Sequence, residues 1–235
     1  VPKKIFNWAH RGASGIAIEN TLSAFTEAVR LGADGIECDI RESLDGELII
    51  FHDPTLKRLA GMSTAVAALT YTDLKQIRIG DGLFDPPQSE TIPTLSEAVS
   101  SVPPSVRWNF EVKAVSAEKI VHFIQQHRIV HRVILSSFDH SVLTEIRRLH
   151  PSVEIAICVK REARRDLFKN AHLLRAVSLT VPARRVNQRL VNEIHREGLR
   201  VDIYTVNEIE QMATFVALGA DGLFTNFPDR LGRLQ

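Results

Sequence analysis

Short runs of apolar and β-branched residues alternate with amphipathic stretches along almost the whole chain, and this rhythm limits the fold more than any single motif. Strands are predicted at 5–10, 35–41, 107–112, 132–137, 153–159, 176–181, 200–206 and 222–226. Helices are predicted between them, at 21–31, 95–102, 117–127, 141–149, 164–174, 186–196 and 208–218. Leu22, Phe25, Ala28 and Val29, and again Leu190, Val191 and Ile194, show the helical spacing of one buried face. Strands separated by helices predict a parallel sheet, and eight of them predict closure into a TIM (β/α)8 barrel. An open doubly wound sheet is the alternative. It normally carries a glycine-rich turn of the GxGxxG kind, and none follows a predicted strand here.

A length of 235 residues exceeds the ~150 of a typical domain, yet α/β barrels of this size form one domain, so residues 1–235 are read as a single unit. One connection breaks the rhythm. Residues 53–93 hold no strong strand and are too long for a plain βα loop, so they are read as an ordered insertion over the site, with a short helix near 72–77. A smaller echo also stands out. Leu31-Gly-Ala-Asp-Gly-Ile-Glu37 recurs as Leu218-Gly-Ala-Asp-Gly-Leu-Phe224, each reading as a helix end running straight into a strand.

Charge argues against polyanion binding. Lys and Arg number 29 against 28 Asp and Glu, so no excess exists to neutralise a nucleic acid, and the 6% aromatic content offers no stacking platform for single strands. No run approaches the ~20 apolar residues of a membrane span, and Val1-Pro2-Lys3-Lys4 lacks the apolar core of a signal peptide. Cys38 and Cys158 read as two buried, reduced thiols. These features together give a cytoplasmic expectation.

The chemistry is concentrated at strand ends. Strand alternation puts Glu37 and Asp39 on one face and Ile36, Cys38 and Ile40 on the other. Asn109, Glu111 and Lys113 share a face of the next barrel strand in the same way. Carboxylates within apolar runs are costly to bury unless a cation joins them, so Glu37, Asp39 and Glu111 form an oxygen-ligand set for one Mg²⁺ or Ca²⁺. The bland alternative is a Glu111–Lys113 ion pair with exposed acids. Asp45-Gly46 reads as the tip of a two-residue hairpin, which pairs Leu44 with Glu47 and therefore Asp39 with His52. A histidine there can exchange protons beside a metal or merely cap a carboxylate. Ala9-His10-Arg11-Gly12 ends the first strand, where a barrel places its active site, and Arg11 offers a planar fork for phosphate oxygens. Asn20 or Thr21 is expected to cap the following helix, and Glu19 to orient Arg11 or a ligand.

In order along the chain, His10-Arg11-Gly12, Glu19-Asn20-Thr21, Gly32-Ala-Asp-Gly-Ile-Glu37-Cys-Asp39, Asp45-Gly46 and His52-Asp53 resemble the glycerophosphodiester phosphodiesterases. Ile92-Pro-Thr-Leu95, Asn109-Phe-Glu111-Val-Lys113, Ser137-Phe138 and Thr225-Asn226-Phe-Pro228 continue the resemblance over essentially the whole chain. It implies a TIM barrel with an insertion after His52-Asp53, and hydrolysis of a small glycerophosphodiester to glycerol 3-phosphate and an alcohol with one divalent cation. By the same resemblance Glu37, Asp39 and Glu111 are metal ligands and His10 and His52 the acid/base pair. Arg11 and Lys113 contact phosphate, and Phe138 is an aromatic beside the substrate. Tyr204 stands where the family usually has tryptophan, which keeps an aromatic wall and adds a hydroxyl. Two other readings use the same residues: a phospholipase D-like lyase releasing a cyclic phosphate, and a non-catalytic phosphate-binding barrel.

Several features are expected to be ordinary surface. His122, His127, His131, His140, His150, His172 and His195 fall on helices or helix ends. Lys160-Arg-Glu-Ala-Arg-Arg165 reads as a solvated helix start, with a role for Lys160 on substrate phosphate as the sharper alternative. Arg184-Arg185 leaves the same two possibilities open.

Overall fold

Polar residues of the connecting loops define where the helices begin. Thr21, Thr94, Ser116, Asp139 and Asn187 each accept a backbone N–H from the first turn that follows, satisfying donors the helix cannot satisfy itself. The computed structural model describes residues 4–80 and 89–234. In chain order its strands are β1 Phe6–His10, β2 Gly35–Glu42, β3 Leu48–Ile50, β4 Arg78–Ile79, β5 Glu90–Thr91 and β6 Arg107–Ala114. They continue as β7 Val133–Ser137, β8 Glu154–Cys158, β9 Ser178–Pro182, β10 Arg200–Tyr204 and β11 Gly222–Thr225. Among the described residues eight of these pair in parallel, running β1-β2-β6-β7-β8-β9-β10-β11 and returning to β1. The sheet closes, with helices between consecutive barrel strands, so the TIM barrel is the architecture.

Alternation along each barrel strand separates two cores. Ile36, Cys38, Ile40, Trp108, Phe110 and Val112 face outward and pack with the helices in the larger cluster. The opposite parity faces the barrel axis, and there Trp8, Ile134, Ala156 and Phe224 form a small interior cluster. Both copies of the repeated Leu-Gly-Ala-Asp-Gly segment support that interior. Asp34 accepts the backbone N–H of Asn7, and Asp221 that of Val201, so each aspartate ties a neighbouring strand at the barrel floor. A Cβ on Gly35 would lie 2.4 Å from the Trp8 ring, and one on Gly222 would lie 3.2 Å from it. The repeat is thus a packing device around one indole.

Residues 53–93 build a second core. Helices Lys57–Ala60 and Tyr71–Leu74 and the antiparallel pair β4–β5 enclose Phe51, Leu56, Leu59, Val66, Leu74, Ile79 and Ile92. Part of the segment expected as an insertion, residues 81–88, lies outside the described residues, as do Val1, Pro2 and Lys3 of the start. The expected hairpin register needs correction. Ser43 N–H donates to the Glu47 carbonyl and Phe51 N–H to the Asp39 carbonyl, and Ile40 pairs with Ile50. The loop therefore has three residues, Leu44-Asp45-Gly46, with Gly46 at φ 87°. Ser43 fixes this longer loop by donating its hydroxyl to Asp45 and accepting Glu47 N–H. Asp39 consequently lies opposite Phe51, and His52 is the next residue, past the end of β3.

Asp202 lies on the inward face of β10 near the floor. Burial raises its carboxyl to about 6, although Arg200 and Arg107 pull it down. An unfolded Asp releases its proton near 3.9. The folded state therefore holds the extra proton between these values; the resulting penalty is absent below about pH 4 and complete above about pH 6. Asp202→Asn should raise stability at pH 7.5 by about 1–3 kcal/mol, with the gain shrinking as pH falls toward 4. Urea denaturation at both pH values checks this, and a pH-independent difference would contradict it.

Candidate active site

Register brings the acids together. His10 pairs with Glu37 between β1 and β2, and Asp39 pairs with Glu111 between β2 and β6, so all four lie at the carboxyl ends of adjacent strands. Glu37, Asp39 and Glu111 each present an oxygen within 4.8 Å of the others. Glu37 and Asp39 are buried, and Glu111 is partly so. Burial, reinforced by the charges of Asp39 and Glu111, drives the Glu37 carboxyl well above its ordinary value. Burial and Asp39 raise Glu111 as well. Asp39 goes the other way. Burial opposes its charge, but Arg11, Lys113 and His52 and a hydrogen bond from Asn20 overcome it, bringing the carboxyl down to about 2.

The cations are built in around this set. Arg11 adopts φ 56°, a left-handed backbone that is uncommon outside glycine, and its N–H donates to Glu37 Oε2 at 2.9 Å. Its guanidinium lies 3.2 Å from Asp39 Oδ2 and donates to Glu19 Oε1 at 2.9 Å. Lys113 donates to Glu111 and lies 3.2 Å from Asp39 Oδ1, out of line for a hydrogen bond. Glu37 Oε1 and Asp39 Oδ1 thus remain buried with no hydrogen-bond partner. The acids outnumber Arg11 and Lys113 by one. A divalent cation fits this donor set: it offers partners to the orphaned oxygens and relieves the repulsion that pushes Glu37 and Glu111 toward protonation.

Both histidines have one ring nitrogen fixed from behind. His10 Nδ1 lies 2.8 Å from Asn226 Oδ1, so it donates there and leaves Nε2 bare, 4.0 Å from Glu37. Burial, aided by Arg11, lowers His10 to about 4, so its imidazole is neutral at physiological pH. His52 Nδ1 lies 2.6 Å from Asp53, while Arg41 donates twice to the His52 carbonyl. Arg58, from helix Lys57–Ala60, then links Asp53 to Glu19 and so to Arg11. Phe138 and Tyr204 meet edge to face at 6.2 Å, and both border a small pocket that also touches His10, Glu37 and Glu111.

Every residue singled out in the sequence therefore lies at this barrel mouth, although His52 arrives by a register different from the one expected. The cap expected from Asn20 or Thr21 is supplied by Thr21, which leaves Asn20 for another task. Asn20 donates to Asp39 Oδ2 at 2.9 Å and accepts Asp39 N–H, from a left-handed φ of 59°. Asn226, Arg41 and Arg58 carry no sequence signal as positioning groups, since each acts across strands or loops that spacing does not relate, whereas Asp53 directly follows the His52 it holds. Asn20→Gly accepts the same backbone and removes only the hydrogen bonds. It should cost about 1–3 kcal/mol in denaturant unfolding, because Asp39 is left with unsatisfied groups. An unchanged midpoint would show that Asp39 does not depend on Asn20.

Comparison with known proteins agrees with this geometry. Residues 10–230 match the sequence model of the Glycerophosphoryl diester phosphodiesterase family. A glycerophosphodiester phosphodiesterase of Bacillus altitudinis is 30% identical, with 99% of this chain and 98% of that protein aligned. One from Caldanaerobacter subterraneus is also 30% identical, over 95% of this chain and 94% of its own length. Among solved structures, an Oleispira antarctica phosphodiesterase in complex with the product sn-glycerol-3-phosphate superposes with TM-score 0.86 at 26% identity, covering 96% of this chain and 94% of that one. A closed eight-stranded barrel, an acid triad crowded at its mouth and a match spanning nearly the full length converge: the chain belongs to the glycerophosphoryl diester phosphodiesterase family.

Proposed function

We propose that this enzyme hydrolyses a small glycerophosphodiester to glycerol 3-phosphate and an alcohol, with His10 and His52 as its proton-transfer pair. Glu37, Asp39 and Glu111 hold one divalent cation, Mg²⁺ or Ca²⁺. Arg11 and Lys113 bind the phosphate oxygens, and Phe138 and Tyr204 wall the substrate. Residues 1–235 act as one catalytic domain, with 53–93 as an insertion over the site. The observation that carries this reading is the buried acid triad with two orphaned oxygens, flanked by two histidines whose Nδ1 atoms are already engaged. A cytoplasmic setting accords with the two free, buried cysteines. Among the described residues, no helix is long and apolar enough to cross a membrane.

The charges balance for a diester. With a divalent cation present the three acids, Arg11 and Lys113 carry one net positive charge, histidines apart, which a phosphodiester monoanion cancels. The cation supplies charge neutralisation at the phosphoryl oxygens. In the chemical step a water oxygen forms the new bond to phosphorus as the bond to the alcohol oxygen breaks. One histidine takes the proton of the water through its free Nε2, and the other, entering the step as imidazolium, gives its Nε2 proton to the departing alcohol oxygen. Arg11 and Lys113 orient the diester, and Asn226 and Asp53 keep the two rings in register with it.

Chelation should abolish turnover while far-ultraviolet circular dichroism remains unchanged, and added Mg²⁺ or Ca²⁺ should restore the rate. Full activity in metal-free protein would refute the triad's role. Glu111→Gln should weaken cation affinity measured by calorimetry. His10→Ala and His52→Ala should each lower kcat by about 10²–10⁴ with saturating cation, leaving cation affinity far less affected. A substrate with an activated leaving group should rescue only the variant that lacks the proton donor. Product analysis separates the chemistries: glycerol 3-phosphate supports hydrolysis, whereas a cyclic phosphate would replace it with the lyase reaction.

A further inference from the structure

Beyond Phe138 and Tyr204, on the same barrel mouth, lies an open cleft of about 1080 Å³ including its solvent-filled opening. It is lined by Lys160, Arg161, Arg184 and Arg185 from the loops after β8 and β9. The acids near this group are Glu162, in the cleft wall, and Asp139, close enough to feel the charge of Lys160. Positive charge is therefore in excess by two. Among the described residues, none of the four cations lies within ion-pair distance of a carboxylate. Their neighbours behave differently: Arg164 and Arg189 both pair with Glu193, as residues on an ordinary solvated helix face do. Arg185 Nη1 and, in the same cleft lining, Glu162 Oε1 are both buried without a hydrogen-bond partner. Lys160 Nζ lies 5.7 Å from the centroid of the Phe138 ring, and Lys113 Nζ lies 5.5 Å from the same centroid. Phe138 thus touches both the acid site and the basic cleft.

A phosphodiester has two arms, and the two spaces on this mouth differ in kind. The smaller space, bordered by His10, Glu37 and Glu111, takes the compact glycerol arm. The open cleft leaves room for a larger group and surrounds it with unpaired cations. We propose that this cleft receives the leaving alcohol and selects alcohols that carry a second phosphate group. The proposal rests on the phosphodiesterase reading above and adds the substrate class to it. Arg184 and Arg185 present guanidinium forks suited to a phosphate monoester. A cationic choline head group meets only the excess positive charge.

The test compares glycerophosphoinositol 4-phosphate with glycerophosphoinositol, which differ by that one phosphate, and uses glycerophosphocholine as reference. The phosphorylated diester should show at least tenfold higher kcat/KM than its unphosphorylated partner at low salt. The double variant R184Q/R185Q should bring the two within about twofold, while kcat/KM for glycerophosphocholine does not fall. Equal kcat/KM for the pair in the parent protein, or a preference that survives the double variant, would overturn the proposal. Calorimetric binding of the same pair, with cation chelated so that nothing turns over, reads the cleft independently of catalysis. If no diester is hydrolysed, the functional reading fails. The cleft proposal then stands or falls on whether the phosphorylated ligand binds at least tenfold tighter and loses that advantage in R184Q/R185Q.

Discussion

Repulsion among three carboxylates organises this barrel mouth. Glu37, Asp39 and Glu111 are held on adjacent parallel strands by register, so none can withdraw from the others without breaking the sheet. Their environment is arranged against that repulsion. Arg11 takes a left-handed backbone to aim its N–H at Glu37, and Asn20 takes another to bond Asp39 on both sides. Two of the four left-handed non-glycine residues among those described thus stand beside the acids, where the surrounding barrel is rigid enough to impose them. The hydrogen-bonded chain from Asp53 through Arg58 and Glu19 to Arg11 then couples the long connection to the acids, so its second core has an electrostatic anchor as well as an apolar one.

Much of this was legible in the chain. Alternation predicts the shared face of Glu37 with Asp39, and of Glu111 with Lys113, because the period of a strand does not depend on its surroundings. The barrel strands and helices likewise follow from apolar spacing and from capping residues such as Thr94 and Asn187. The hairpin register did not follow. Asp45-Gly46 is equally compatible with a two-residue and a three-residue loop, and the choice is made by Ser43, whose hydroxyl closes the longer one. A one-residue slip moves His52 from a position opposite Asp39 to one past the strand end. Asn20, Asn226 and Arg58 escaped for a related reason. Asn20 meets Asp39, Arg58 meets Glu19 and Asn226 meets His10 over separations of 19 to 216 residues, and only closure of the barrel brings them together. The twin Leu-Gly-Ala-Asp-Gly segments were visible as a repeat, but their purpose appears only once Trp8 is seen between Gly35 and Gly222.

That indole has a consequence for traffic through the enzyme. Trp8 is 2% exposed and fills the barrel axis together with Ile134, Ala156 and Phe224, so the vessel is blind at its floor. Whatever reaches the acids from solvent must come and go by the one mouth. A reaction that yields two products in such a vessel cannot discharge them in opposite directions, as a through-channel would. Both must leave by the opening through which the next substrate enters.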